Sequence, residues 1–89
     1  MPETFTLAQN YPNPFNPSTT IEFSLPSSTH VSLRVYDMLG REVAVLVNEE
    51  RTAGSYRVTF DARSLPSGTY LYSLRAGASQ EIRKMVLVK

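Results

Sequence analysis

The segment Asn10-Tyr11-Pro12-Asn13-Pro14-Phe15-Asn16-Pro17 constrains the fold more than any other stretch of the chain. Each proline fixes φ, removes an amide donor and pushes the preceding residue toward extended geometry. Neither a helix nor a central strand can form there. The segment is expected to run extended and partly polyproline-like, with a strand opening just after it at Thr19-Thr20-Ile21. Tyr11 and Phe15 give it two large apolar rings. That favours a strap docked through both rings over a free proline-rich linker. Residues 1–17 are read as this strap, and residues 18–89 as the strands of the same single domain.

Beyond the strap the apolar period is two. Ile21, Phe23 and Leu25 alternate with polar residues, as do Val31, Leu33 and Val35. Tyr56, Val58 and Phe60 follow the same rule, and so do Tyr70, Tyr72 and Leu74. Strands with one buried face have this signature. Val43 to Val47 and Met85 to Val88 are apolar on both phases, which suits strands covered twice or carrying a partner surface. No window has a helical period, though Ala62 to Leu65 could make one turn. Asp37-Met38-Leu39-Gly40 fits a type I turn with Gly40 left-handed. Leu65-Pro66-Ser67-Gly68 puts proline second and glycine fourth in a turn. Pro26-Ser27-Ser28 and Ala76-Gly77-Ala78 mark further turns, and Asn48 to Gly54 reads as a long polar loop. About seven strands at this spacing predict an all-β, Ig-like seven-stranded antiparallel β-sandwich. Its expected core is Ile21, Phe23, Leu33, Val35, Tyr56, Val58, Phe60, Tyr70, Tyr72 and Leu74.

Composition narrows the function. At 89 residues the chain suits one small domain with little room for a deep cleft. A net charge of +1 argues against a nucleic-acid surface. The absence of cysteine excludes disulfides and thiolate metal sites. No stretch approaches the roughly 20 apolar residues of a membrane helix. Met1-Pro2-Glu3 lacks the basic start and apolar run of a signal peptide, so if the domain is exported the signal is expected on a longer parent, with this chain a fragment of it.

Catalysis finds no support. His30 is the only histidine and follows a polar turn, with no G-x-S-x-G nearby. Glu49 and Glu50 are adjacent on an extended chain and should point apart. Asp37 and Asp61 end strands, where aspartate favours turns; Asp61 is the better candidate for calcium, which needs several converging oxygens. No phosphate loop and no cofactor motif occurs. The five tyrosines could form a sugar platform if exposed. The phase of Tyr56, Tyr70 and Tyr72 instead favours core, with Tyr36 on the opposite face.

The two lysines, Lys84 and Lys89, both fall in the last six residues, around Met85-Val86-Leu87-Val88. Lysine on an edge strand discourages unwanted pairing. The same edge could instead serve as a recognition strand that adds to a partner's sheet.

Four blocks carry a family resemblance. They are Asn10 to Pro17 with Thr20-Ile21-Glu22-Phe23; Val35-Tyr36-Asp37-Met38-Leu39-Gly40-Arg41-Glu42-Val43; Gly54-Ser55-Tyr56 through Phe60-Asp61-Ala62 to Leu65-Pro66-Ser67-Gly68-Thr69-Tyr70; and Lys84 to Lys89. In this order the chain resembles the type A C-terminal sorting domain of proteins exported by the type IX secretion system. The resemblance implies a non-catalytic β-sandwich without cofactors, behind a parent passenger protein. It implies export through the periplasm to the cell surface or extracellular space of a Gram-negative bacterium. The implied partners are an outer-membrane translocon and a sortase-like cysteine protease that removes the domain and joins the passenger to a lipopolysaccharide anchor. The implied recognition strand is Lys84, Met85, Val86, Leu87, Val88 and Lys89. Tyr11, Pro12, Pro14, Phe15, Gly40 and Gly68 belong to its structural motifs. The opening and glycine blocks are also similar to an Ig-like module of flagellar hook-capping proteins. A structural module of that kind and a carbohydrate-binding accessory sandwich remain the alternatives.

Overall fold

Alternating side chains give seven strands and two sheets in a computed structural model that describes residues 4–89. The strands are β1 (Thr6–Leu7), β2 (Ser18–Leu25), β3 (Thr29–Asp37), β4 (Glu42–Arg51), β5 (Gly54–Asp61), β6 (Gly68–Ala76) and β7 (Ser79–Leu87). One sheet has the order β1-β2-β5 and the other β4-β3-β6-β7, with every strand pair antiparallel. The fold is therefore the expected antiparallel sandwich, with one variation. In the immunoglobulin constant arrangement the fourth strand joins the sheet of the first, second and fifth. Here β4 pairs with β3 in the opposite sheet.

The inward phase of both sheets is buried. Ile21, Phe23, Leu33, Val35, Phe60, Tyr70, Tyr72 and Leu74 fill the core as expected, while Tyr56 and Val58 are half-buried and pack against it. Leu7, Phe15, Leu25, Val31, Val47, Ala62, Ala76, Met85 and Leu87 complete it. The two-faced run at Val43 to Val47 has a local cause. Leu33 pairs with Val47 and Arg34 with Val45, so Leu46 is an extra residue; Val35 pairs with Ala44 and Tyr36 with Glu42, so Val43 is another. Each irregularity resets the alternation. The run needs no second layer, and Val45 is exposed.

Three local expectations are corrected. Asn48 to Arg51 continue β4 rather than forming a loop, and only Thr52 and Ala53 link it to β5. The turn after β5 is closed by Leu65 N–H donating to Ala62 O at 3.0 Å, while Gly68, at φ 154°, already begins β6. The strap is also less regular than a polyproline run. Thr6–Leu7 is itself a strand against Ser24 and Phe23, and Pro12 to Pro14 are bends between isolated bridges at Tyr11 and Phe15. The first three strap residues lie outside the described residues.

The Asp37 hairpin forms as the sequence predicts. Gly40 has φ 86°, and its N–H donates to Asp37 O at 3.1 Å. The Asp37 carboxylate accepts from the amides of Leu39 and Arg41 at 2.9 and 3.0 Å. Tyr70 adds a corner typical of Ig-like sandwiches, its hydroxyl donating to Pro66 O at 2.6 Å near the start of β6.

Strand directions sort the loops into two ends. The Asp37 hairpin, residues 62–67 and Lys89 share one end; Pro26–Ser28, Thr52–Ala53, Gly77–Ala78 and the start of the strap share the other.

Candidate functional site

The last strand and the proline strap meet at one edge. β7 ends the four-stranded sheet, so its outer N–H and C=O groups lack a strand neighbour. The strap supplies partners for them. Phe15 N–H donates to Val86 O, and Val88 N–H donates to Phe15 O, both at 2.9 Å. Asn13 Oδ1 stands in for a backbone acceptor and takes the Val86 N–H at 3.0 Å. Gln9 Nε2 donates to Lys84 O at 2.8 Å. The expected free edge from Lys84 to Val88 is therefore occupied within the chain itself. The proline segment has acceptors and few amide donors, which suits it to this short pairing and to no longer one.

The strap is fastened on its other side to β2. Ala8 N–H donates to Glu22 O, and Tyr11 and Thr20 exchange N–H···O bonds, all at 2.9 Å. It thus closes the open side between the two sheets. Its middle is pinned from within. The Tyr72 hydroxyl donates to Ala8 O and accepts from Asn10 N–H, both at 2.8 Å. Burial pushes the Tyr72 phenol up, against the opposing Asn10 amide and Arg83 charge. Arg83 Nε donates to Leu7 O at 2.7 Å. The buried Asn10 amide donates to Thr19 Oγ1 at 3.0 Å and to Pro12 O at 3.1 Å, so its donors are satisfied.

The predicted recognition residues divide by phase. Met85 and Leu87 are 0% and 1% exposed and belong to the core. Lys84, Val88 and Lys89 face solvent, with Val86 intermediate. Lys89 is tethered, its Nζ donating to Arg63 O at 2.8 Å and its N–H to Ser67 Oγ at 3.1 Å. The strap rings divide too. Phe15 is 1% exposed and lies 6.3 Å from the Phe60 ring. Tyr11 is 80% exposed, contrary to the expected docking through both rings. Its backbone pairs with Thr20, which directs its side chain away from the core. Pro12 and Pro14 are exposed beside it.

The other candidates lie apart from this edge. His30 Nε2 and Asn48 Oδ1 are 2.8 Å apart on the outer face of the four-stranded sheet. Glu49 takes the phase of Val31 and Glu50 that of His30, so the two point apart as expected, both exposed on the edge strand. Asp61 is held below the usual carboxylate range by hydrogen bonds from the Arg63 side chain and amide. Among the described residues, no three of His, Asp and Glu gather as metal ligands. No described helix is long and apolar enough to cross a membrane.

Sequence reasoning missed Gln9, Asn10, Asn13 and Arg83 as fasteners. One signal was present: a tyrosine in core phase needs a partner for its hydroxyl, and Tyr72 finds it in the strap.

Comparison with known proteins agrees with this architecture. No curated protein matches the chain. The fold is similar to a solved structure of PorZ, described as an essential bacterial surface component of the type-IX secretion system of Porphyromonas gingivalis. That match has 18% identity and a TM-score of 0.63, and covers 96% of this chain but 11% of PorZ. The model of the secretion system C-terminal sorting domain matches residues 9–89, from the strap to the last residue of β7 and beyond. The chain belongs to the secretion system C-terminal sorting domain family.

Proposed function

We propose that this domain is the sorting signal of an upstream passenger, read as a folded module by the outer-membrane translocon of a type IX secretion system. The domain performs no chemistry. The passenger is delivered to the cell surface or the extracellular space, where a sortase-like cysteine protease separates it from the domain and attaches it to the surface. The observation that carries this reading is the family match over residues 9–89.

Two structural features support the reading. The first and last family blocks, remote in sequence, form one edge through Phe15, Val86 and Val88. The described chain starts at the end of the sandwich opposite Lys89. A passenger joined there leaves the Lys84 to Lys89 end open to a partner. The recognition residues are then the outward ones, Lys84, Val88 and Lys89, because Met85 and Leu87 are consumed by the core.

The core positions of Met85 and Leu87 rule out truncation as a test of recognition. Cutting off Lys84 to Lys89 would remove two core side chains and unfold the sandwich, so loss of export would say nothing about recognition. The double substitution Lys84→Glu, Lys89→Glu reverses exposed charge and breaks one exposed tether, Lys89 Nζ to Arg63 O, but leaves the core untouched. A reporter bearing it should stay folded in the periplasm of a host with a type IX system. Undiminished export of that variant would remove the lysines from the signal.

A further inference from the structure

The outer face of the four-stranded sheet holds a polar groove of about 440 Å³, apart from the edge where the strap meets β7. This lies within the roughly 300–1,000 Å³ of small-molecule sites. A cross-strand row, Asn48–Ser32–Arg75–Gln80, forms its floor, with Arg34 and Ser73 in the next row and Tyr36 beyond.

Two observations set its chemistry. The first is charge. Six of the seven arginines have a carboxylate within 4 Å: Arg34 with Glu42, Arg41 with Asp37, Arg51 with Glu49, Arg57 with Glu22, Arg63 with Asp61 and Arg83 with Glu81. The Arg51 approach is at ion-pair distance, though its Nε is off the hydrogen-bond line. Among the described residues Arg75 is the exception, and it stands in the groove. No carboxylate is among its lining residues; of the two beside it, Glu42 is held by Arg34 at 2.7 Å and Glu50 lies opposite His30.

The second observation is the direction of the hydrogen bonds. Ser32 Oγ accepts from Arg34 Nε at 2.7 Å, and Ser73 Oγ accepts from Gln80 Nε2 at 3.2 Å. Asn48 Oδ1 is taken by His30 at 2.8 Å. Each of these bonds occupies one acceptor site and leaves the donors of the same side chain free. The hydroxyl hydrogens of Ser32 and Ser73, the Asn48 amide hydrogens and the Arg75 guanidinium remain to donate.

We propose that this groove binds a carboxylate-bearing saccharide, with the carboxylate on Arg75 and ring hydroxyls on Ser32, Asn48, Ser73 and Gln80. Surplus donors and an unpaired guanidinium select an oxyanion. The groove is larger than a simple anion requires, and the half-buried Tyr36 gives a sugar ring a face to rest on. An acidic peptide fits less well. Main-chain groups inside a sheet are spent on the ladder, so the face offers a peptide backbone nothing to pair with; peptides add at edges.

The test is amide chemical-shift titration of the folded domain with digalacturonate. Parallel arms use a neutral disaccharide, acetate and a Glu-rich peptide. Digalacturonate should move the amides of Ser32, Asn48, Ser73 and Arg75 together, and salt should weaken the effect. Arg75→Ala should weaken binding on the order of tenfold, as loss of a charge-assisted contact implies. Gln80→Glu, which adds a negative charge to the groove, should weaken it independently. Equal response to the neutral sugar, to acetate or to the peptide would overturn the assignment. So would digalacturonate shifts that fall elsewhere or survive both substitutions.

Discussion

Replacing Phe15 with alanine should destabilise this domain far more than replacing Tyr11, although both are aromatic, four residues apart and part of the same motif. Phe15 is 1% exposed, packs at a tilted 55° against Phe60 and lies where β7 meets the strap. Its truncation removes a buried ring and leaves a cavity, for about 3–5 kcal/mol. A domain this small has a total stability of about 5–15 kcal/mol. At the lower loss the melting temperature should fall by roughly 12–24 °C, taking about 4–8 °C per kcal/mol. Tyr11 is 80% exposed, so Tyr11→Ala should stay within about 0.5 kcal/mol of the parent. Urea unfolding followed by tyrosine fluorescence or circular dichroism gives both numbers. A double-mutant cycle of Phe15→Ala with Phe60→Ala should show a coupling of about 0.5–1.5 kcal/mol from the ring pair. Equal effects at the two positions would refute the reasoning. A Phe15→Ala loss below about 1 kcal/mol would show that the strap peels away without disturbing the sandwich.

Other perturbations test separate joints. Tyr72→Phe should cost about 1–3 kcal/mol, because Ala8 O and Asn10 N–H lose their buried partner; native-state hydrogen exchange should show the Asn10 amide deprotected first. Gly40→Val should cost about 1–2 kcal/mol from backbone strain at φ 86°, since a Cβ there meets no atom within 4 Å. Thermal melting should then place Gly40→Asn between the two. Asp37 is held below its ordinary value by the Arg41 amide first and then by the Arg41 side chain and Leu39 amide. Its contribution is present above the unfolded pKa of about 4 and is lost as pH falls through the depressed folded value. The urea midpoints of wild type and Asp37→Asn should therefore differ at pH 7 and converge as acid titrates the folded carboxylate. A gap independent of pH would refute the assignment.

The sequence made the sandwich legible where one face of a strand is wet and one dry. Ile21, Phe23, Leu33, Val35, Tyr72 and Leu74 alternate cleanly, and all are buried. Gly40 was readable because a three-residue hairpin requires a left-handed residue there. Period two failed in β4 for two physical reasons. Extra residues at Val43 and Leu46 reset its phase, and past Val47 this edge strand stays paired to β3 while its side chains are polar and largely exposed, so Asn48 to Arg51 are extended without an apolar period. The strap exposed a further limit. Composition marks Tyr11 and Phe15 as equivalent anchors. Only the backbone pairings, Tyr11 with Thr20 and Phe15 with Leu87, decide which ring turns inward. The Phe15 pairing joins opposite ends of the chain and the Tyr11 pairing spans the irregular strap, so no local period encodes either. The strap's bonds to the edge at Lys84 to Val88 are hidden from the sequence because they join residues more than seventy positions apart.

The central claim is that this folded domain is sufficient as a sorting signal. The direct measurement is the surface fraction of a periplasm-targeted reporter in a bacterium with a type IX system, with and without the domain fused to its C-terminus. Surface labelling of intact cells and protease accessibility give that fraction. With the domain the reporter should reach the surface or the medium; without it the reporter should remain periplasmic. A fusion whose domain is shown to be folded, by protease resistance of the sandwich in periplasmic extracts, but which stays in the periplasm would contradict the account.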